Sequence, residues 1–232
     1  MTRSPADSSQ LSFDIDSARG AVLPQRLRPM LPVDGDRPFD DPDWFFEPWW
    51  PGASTLAYIE DGRVRLQTEH LADPLEAFPE LAAIPGQFRD DGLIVEGALL
   101  VLDDDGRPDS DLLRARLAGG GDQRGTAALV ASDLLYASGQ PQIDLPFDER
   151  RTRLARVLQD GDHCVVSRGL RAEGTTLAEA VGPMGVTEIS ARLLGAAYRL
   201  GARDGSWLRI PIAPEPPATR RPLLAVLQRL PL

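Results

Sequence analysis

An α+β fold is predicted for this chain of 232 residues. Apolar runs of strand length recur along most of it, while LPFDERRTRLARVLQDG is the clearest helix. The two types do not alternate in the regular order that a doubly wound parallel sheet requires, and no internal repeat is visible.

The elements follow in order. Residues 1–25 carry several acids and no apolar segment of the secretory kind, so they read as a solvated arm. Globular character begins at residue 26 and runs to 212. STLAYIEDGRVRLQTE is two alternating runs around Glu60-Asp61-Gly62, the pattern of a tight hairpin. DPLEAFPELAAI places Leu75, Phe78 and Leu81 or Ala82 at helical spacing. LIVEGALLVL is a buried strand run, closed by the polar turn Asp103-Asp104-Asp105-Gly106, whose spacing is wrong for a calcium loop. GTAALVASDLLYASGQ is another. In the helix, Asp148 and Glu149 suit the first turn, Leu154, Val157 and Leu158 form the core stripe, and Gly161 is the stop. HCVVSRGL, GVTEISARLL and SWLRIPI are further strands. Residues 213–232 are a proline-rich linker and a short amphipathic tail, LLAVLQRLPL, which either docks a partner or folds back on its own domain.

Composition narrows the function. The net charge is −10 and the isoelectric point about 4.7, which opposes generic binding to nucleic acid. No apolar run is long enough to span a membrane, and a cytoplasmic location is expected. Every basic residue is arginine; lysine and asparagine are absent. Any mechanism that needs a lysine amine on this chain is therefore excluded. Cys164, the sole cysteine, sits in an apolar run and reads as a buried thiol. His70 and His163 have no second ligand at zinc spacing. The motif Trp49-Trp50-Pro51-Gly52, ahead of the hairpin, suggests an aromatic platform or a filled hole.

The order of motifs resembles the adenylation (nucleotidyltransferase) domain of ATP-dependent DNA ligases, of the bacterial end-joining type. The similarity covers Arg28 to Ile212. WFFEPWWPG is similar to the nucleophile segment W-x-x-E-x-K-x-D-G, and RVRLQTEHLADPLEAFPEL to a strand, an S-R-N-G turn and an F-P-E-L helix. LIVEGALLVLDDDGRP is similar to L-D-G-E-I-V, and ASDLLYASGQPQIDLPFDERRTRL to F-D-L-L-x-x-x-G and a helix opened by E-R-R. GPMGVTEIS is similar to E-G-V-V-x-K, and SWLRIPI to W-L-K-x-K. The implied fold is the ligase-type, ATP-grasp-like arrangement of antiparallel sheets flanked by helices. An OB-type domain would follow W-L-K-x-K in the family; residues 213–232 stand there instead, so none is expected.

The resemblance also implies what each position would have done. The lysine that becomes lysyl-AMP falls at Trp49, whose indole has no basic lone pair. The family aspartate after it falls at Pro51; Glu47 and Gly52 persist. The arginine of the S-R-N-G turn falls at Glu69, and the acids of D-G-E at Glu96 and Ala98. The adenine-stacking phenylalanine falls at Ser132, the metal-binding glutamate at Met184 and the lysine after it at Ile189. The last two lysines fall at Arg209 and Pro211. The expected site is a vestigial pocket turned from polar to apolar as a set, because unpaired charges repel in a dry cleft. Trp49 plugs it; Trp50 is either a second plug or a sheet-packing side chain. No cofactor is expected, although ATP and Mg²⁺ serve the active family.

Three functions compete. The favoured one is an inactive pseudoligase, a binding or scaffolding module with an unknown protein partner in DNA repair or end joining. The others are a nucleotide or small-ligand sensor in the remodelled cleft, where Arg192 and Arg209 could hold a phosphate, and ligase activity assisted by a partner chain.

Overall fold

Two sheets face one another across a cleft in the computed structural model, which describes residues 22–69, 73–119, 123–212, 224 and 228–230. The first sheet combines β1 (Leu31–Asp34), β2 (Asp40–Pro48), β9 (Leu170–Glu173), β10 (Glu188–Leu193) and β11 (Arg203–Pro211), in the order β1-β11-β10-β2-β9. Its pairs are antiparallel except β1 with β11. The second combines β3 (Ala53–Glu60), β4 (Arg63–Thr68), β5 (Leu93–Leu102), β6 (Thr126–Ala137) and β7 (Gln140–Pro141), in the order β4-β3-β5-β6-β7. β8 (Cys164–Val166) adds to β6 in parallel. Helices are α1 (Ser110–Leu117), α2 (Phe147–Val157) and α3 (Gly174–Val181). This is the predicted α+β class.

The β3–β4 hairpin turns at Asp61 and Gly62, both with positive φ (53° and 68°), the backbone that an Asp-Gly pair supplies most readily. DPLEAFPELAAI is not an α-helix but two 3-10 segments, Leu75–Ala77 and Pro79–Gln87. Pro79 and Pro85 lack the N–H that an α-helix would use, and the tighter turn aligns residues three apart. Phe78, Leu81 and Ile84 are all buried that way. The helix α2 ends at Val157, before Gly161, because Leu158 turns extended and bridges Phe88 across the core. Its buried stripe holds Phe147 and Leu154 as well as Arg150 and Arg151. Two helices were not anticipated. The side chain of Asp109 caps α1, accepting from the amides of Asp111 and Leu112 at 2.8 and 2.9 Å. α3 buries Leu177 and Val181, one turn apart.

One apolar core covers the outer face of the second sheet, with Leu66, Phe78, Leu81, Ile84 and Leu154. Another runs from the inner face of that sheet to the underside of α3 and includes Trp50, Leu100, Val130, Leu177 and Ile189. Cys164 is fully buried, and burial pushes its thiol well above the ordinary range. Leu224 and Leu230 pack against the second core, the contact expected of a tail folded back on its own domain. The predicted arm is largely outside the described residues, as are His70, most of the linker and the rest of the tail.

Candidate functional site

Strand alternation puts two sets of side chains face to face in the cleft. From the first sheet come Glu47, Ser190, Arg192 and Trp207; from the second come Ser54, Glu96, Ala98, Val130 and Ser132. The register explains the first set: Ser190 pairs with Glu47, and Arg192 with Trp207, so all four point the same way. Together with Trp49 and Trp50 they line a cavity of about 100 Å³. Sites for small organic ligands run from about 300 to 1,000 Å³. The space between the sheets is thus largely occupied by the chain's own side chains.

Much of what occupies it is charged. Asp133 is fully buried and accepts two bonds from Arg150, from Nε and Nη2, both at 2.8 Å. It accepts a third from Arg192 at 3.0 Å. Arg192 reaches on to Glu96 at 2.9 Å, and the Tyr198 hydroxyl donates to the other oxygen of Glu96 at 2.7 Å. Arg150 also donates to the carbonyls of Leu145 and Ala196. Arg192 lies 3.8 Å over the Trp207 ring, whose Nε1 donates to Ser190 at 2.9 Å. Beside this chain Arg151 meets Glu47 at 3.4 Å and the carbonyl of Ser167. Burial holds the Glu96 carboxyl above the usual range, against the pull of Arg192. Burial works against the charge of Arg192, but Glu96 and Asp133 outweigh it and hold the guanidinium well above its ordinary value. Tyr198 is pushed up by burial and by the facing Glu96. The cleft has therefore not become apolar as a set. Its buried charges are paired in an ionic network, which is how an interior tolerates charge.

The structure gathers Glu47, Trp49, Gly52, Glu96, Ala98 and Ser132 around the cavity and leaves the other predicted positions elsewhere. Ile189 is fully buried on the opposite face of β10, against the second core. The cation on the cleft face of that strand is Arg192. Met184 packs at the edge of the second core, and its carbonyl accepts from Arg107. Glu69 is exposed on a neighbouring groove with Arg26 and Arg28. Arg209 is half-buried, bonded to Asp34 at 2.9 Å and near Glu188 at 3.5 Å, with Trp49 5.7 Å below it. Gly52 is explained by packing, since a Cβ there would sit 2.4 Å from the carbonyl oxygen of Leu99. Sequence reasoning passed over Asp133, Arg150, Arg151 and Tyr198 as site residues. The first three stand in the quoted ASDLL and ERR segments, so their signal was present.

Glu47 and Glu96 are the acids lining the cavity that could hold a divalent cation. Each is already matched to a guanidinium, Glu96 also to a hydroxyl, so a cation would have to displace those partners. The residues present do not fit Mg²⁺.

The two tryptophans differ. Trp50 is buried and its Nε1 donates to Ser167 at 3.1 Å. Trp49 is half-buried, tilted against Trp207 at 6.2 Å, and separates the small cavity from an open one of about 530 Å³ beside α1. Trp50→Ala is expected to cost about 3–5 kcal/mol, the range for truncating a buried aromatic. Trp49→Ala should cost about 1–2 kcal/mol, as befits partial burial, and join the two cavities. Urea denaturation of both variants checks the order; equal losses would contradict it.

Comparison with known proteins adds the following. No family model matches the chain. It is 32% identical over 171 residues to the multifunctional non-homologous end joining protein LigD of Pseudomonas aeruginosa, an alignment covering 72% of this chain and 20% of that protein. It is 33% identical over 171 residues to a probable DNA ligase of Streptomyces avermitilis, covering 68% of this chain and 33% of the relative. The chain thus spans a fifth to a third of these relatives. In three dimensions it is similar to a mycobacterial DNA ligase D complexed with ATP and MES, with TM-score 0.70, 24% identity and 81% and 60% of the two chains covered. The ligase domain of LigD from M. tuberculosis gives TM-score 0.68 at 24% identity, covering 80% and 59%.

Proposed function

Because the chain is homologous to the ligase domain of LigD-type ATP-dependent DNA ligases, we propose that it is a catalytically inactive counterpart of that domain. In this reading it serves as a binding or scaffolding module linked to end-joining repair. The observation that carries this is Trp49, at the position the resemblance assigns to the nucleophilic lysine, in a chain without any lysine. Two features support it. The space behind Trp49 measures about 100 Å³, short of what a nucleotide needs. The carboxylates left in the cleft are committed to arginines. The network of Asp133, Arg150, Arg192 and Glu96 would then have kept the frame rigid after catalysis was lost. Its partner is a protein of the end-joining machinery, and its location is the cytoplasm.

Thermal unfolding tests the reading. A ligand at a hundred times its dissociation constant raises stability by about 2.7 kcal/mol. Millimolar ATP with Mg²⁺ is expected to leave the melting temperature unchanged, and a clear rise would overturn the proposal. Affinity for nicked duplex DNA is likewise expected to be weak at physiological salt, since the net charge is −10. Submicromolar binding in a gel shift at that salt would favour a protein acting directly on DNA.

A second reading, a sensor of a small ligand, rests on the guanidinium of Arg192 and the indoles of Trp49 and Trp207 that line the cavity. It requires Trp49 to swing out, which the Trp49→Ala variant would mimic. Ligation assisted by a partner would need that partner to bring the lysine as well as the metal ligands.

A further inference from the structure

On the far side of Arg151 lies a separate groove, of about 430 Å³. Its lining takes Arg151, Ala155 and Arg156 from α2, Phe45 from β2, Arg171 from β9 and Leu194 from just after β10. The helix presents Arg151, Ala155 and Arg156 on one face. Arg171 sits at a break in the β2–β9 register, next to Ala172, whose φ of 69° is left-handed without being glycine. Such an irregularity re-aims a side chain at the edge of a sheet.

The charges here are not matched as they are in the cleft. Three arginines line the groove; Arg151 is paired with Glu47 in the cleft and Arg171 lies near Asp148, which leaves the charge of Arg156 over on a protein whose net charge is −10. Arg156 makes no hydrogen bond or ion pair among the described residues, and Arg171 meets only Asp148, at 3.7 Å. Arg151 is 6% exposed, stacks 3.9 Å over the Phe45 ring, and keeps a buried Nε–H without an acceptor. Burial holds its guanidinium below the ordinary range, and Glu47 does not fully offset this. The Thr152 hydroxyl donates to the carbonyl of Asp148, so the donors on offer are arginine N–H groups.

We propose that this groove binds a phosphate monoester carried on a small apolar or aromatic body. Three guanidinium groups on one groove, that of Arg156 without a partner among the described residues, suit an anion with several oxygens, and the planar fork of arginine suits those of phosphate. The apolar surface of Phe45, Leu194 and Ala155, and a volume in the range of small organic ligands, provide for the body. Occupation would also reach the cleft, since Arg151 is shared between the groove and Glu47.

Titration calorimetry of the full chain tests this with three probes: phenyl phosphate, inorganic phosphate and benzoate. Phenyl phosphate should saturate and bind tighter than inorganic phosphate, which lacks the body, and than benzoate, which offers the guanidinium groups two oxygens instead of three. Arg156→Ala and Arg171→Ala, both at exposed residues, should each weaken phenyl phosphate about tenfold. Arg209→Ala, beside the other cavity, should not change it. Failure of phenyl phosphate to saturate at millimolar concentration would overturn the proposal. So would an affinity unchanged in the Arg156→Ala, Arg171→Ala double variant. Equal binding of inorganic and phenyl phosphate would remove the apolar body from it.

Discussion

Asp133→Ala is expected to destabilise the protein by about 3–5 kcal/mol, a large part of the total for a domain of this size. Asp133 is fully buried and anchors Arg150 through two bonds and Arg192 through a third. Truncation leaves two guanidinium groups in a dry interior with one acid, Glu96, still beside Arg192. Arg150 would keep the carbonyls of Leu145 and Ala196, but neither carries the compensating charge. Urea unfolding measures the loss. The double variant with Arg150→Met should recover part of it, because an apolar replacement removes the guanidinium whose ion pair was with Asp133. A loss under 1 kcal/mol would show that water reaches the network and that the cleft is not dry.

No covalent nucleotide is expected on the chain after incubation with α-labelled ATP and Mg²⁺ or Mn²⁺. Adenylation in the family requires a lysine ε-amine of lowered pKa, and no such amine exists at Trp49 or anywhere else in the sequence. Restoring the amine alone should not restore the reaction: Trp49→Lys still faces a cleft whose carboxylates are paired with arginines and whose position 98 is alanine. Label is read on the denatured protein. Stoichiometric incorporation by the natural chain would disprove the inactive reading, and incorporation by Trp49→Lys would show that the cleft still admits nucleotide.

The sequence by itself determined the class of fold, the hairpin at Asp61-Gly62, the family to which the chain is homologous and the absence of a lysine nucleophile. These depend on local periodicity, turn chemistry and residue identity, which are present in the chain before it folds. Tertiary structure decided the rest. The prolines of the 75–87 region turned a helical spacing into 3-10 segments, because apolar residues three apart can be buried by either helix and only hydrogen bonding tells them apart. The ionic network could not be read from charges scattered between positions 47 and 198: pairing across two sheets depends on which face of each strand they occupy. A shift of one position on β10 separates Ile189, in the core, from Ser190, in the cleft, and Arg192 takes the cleft side for the same reason. The same alternation decided that the cleft would be lined by paired charges rather than by apolar side chains alone.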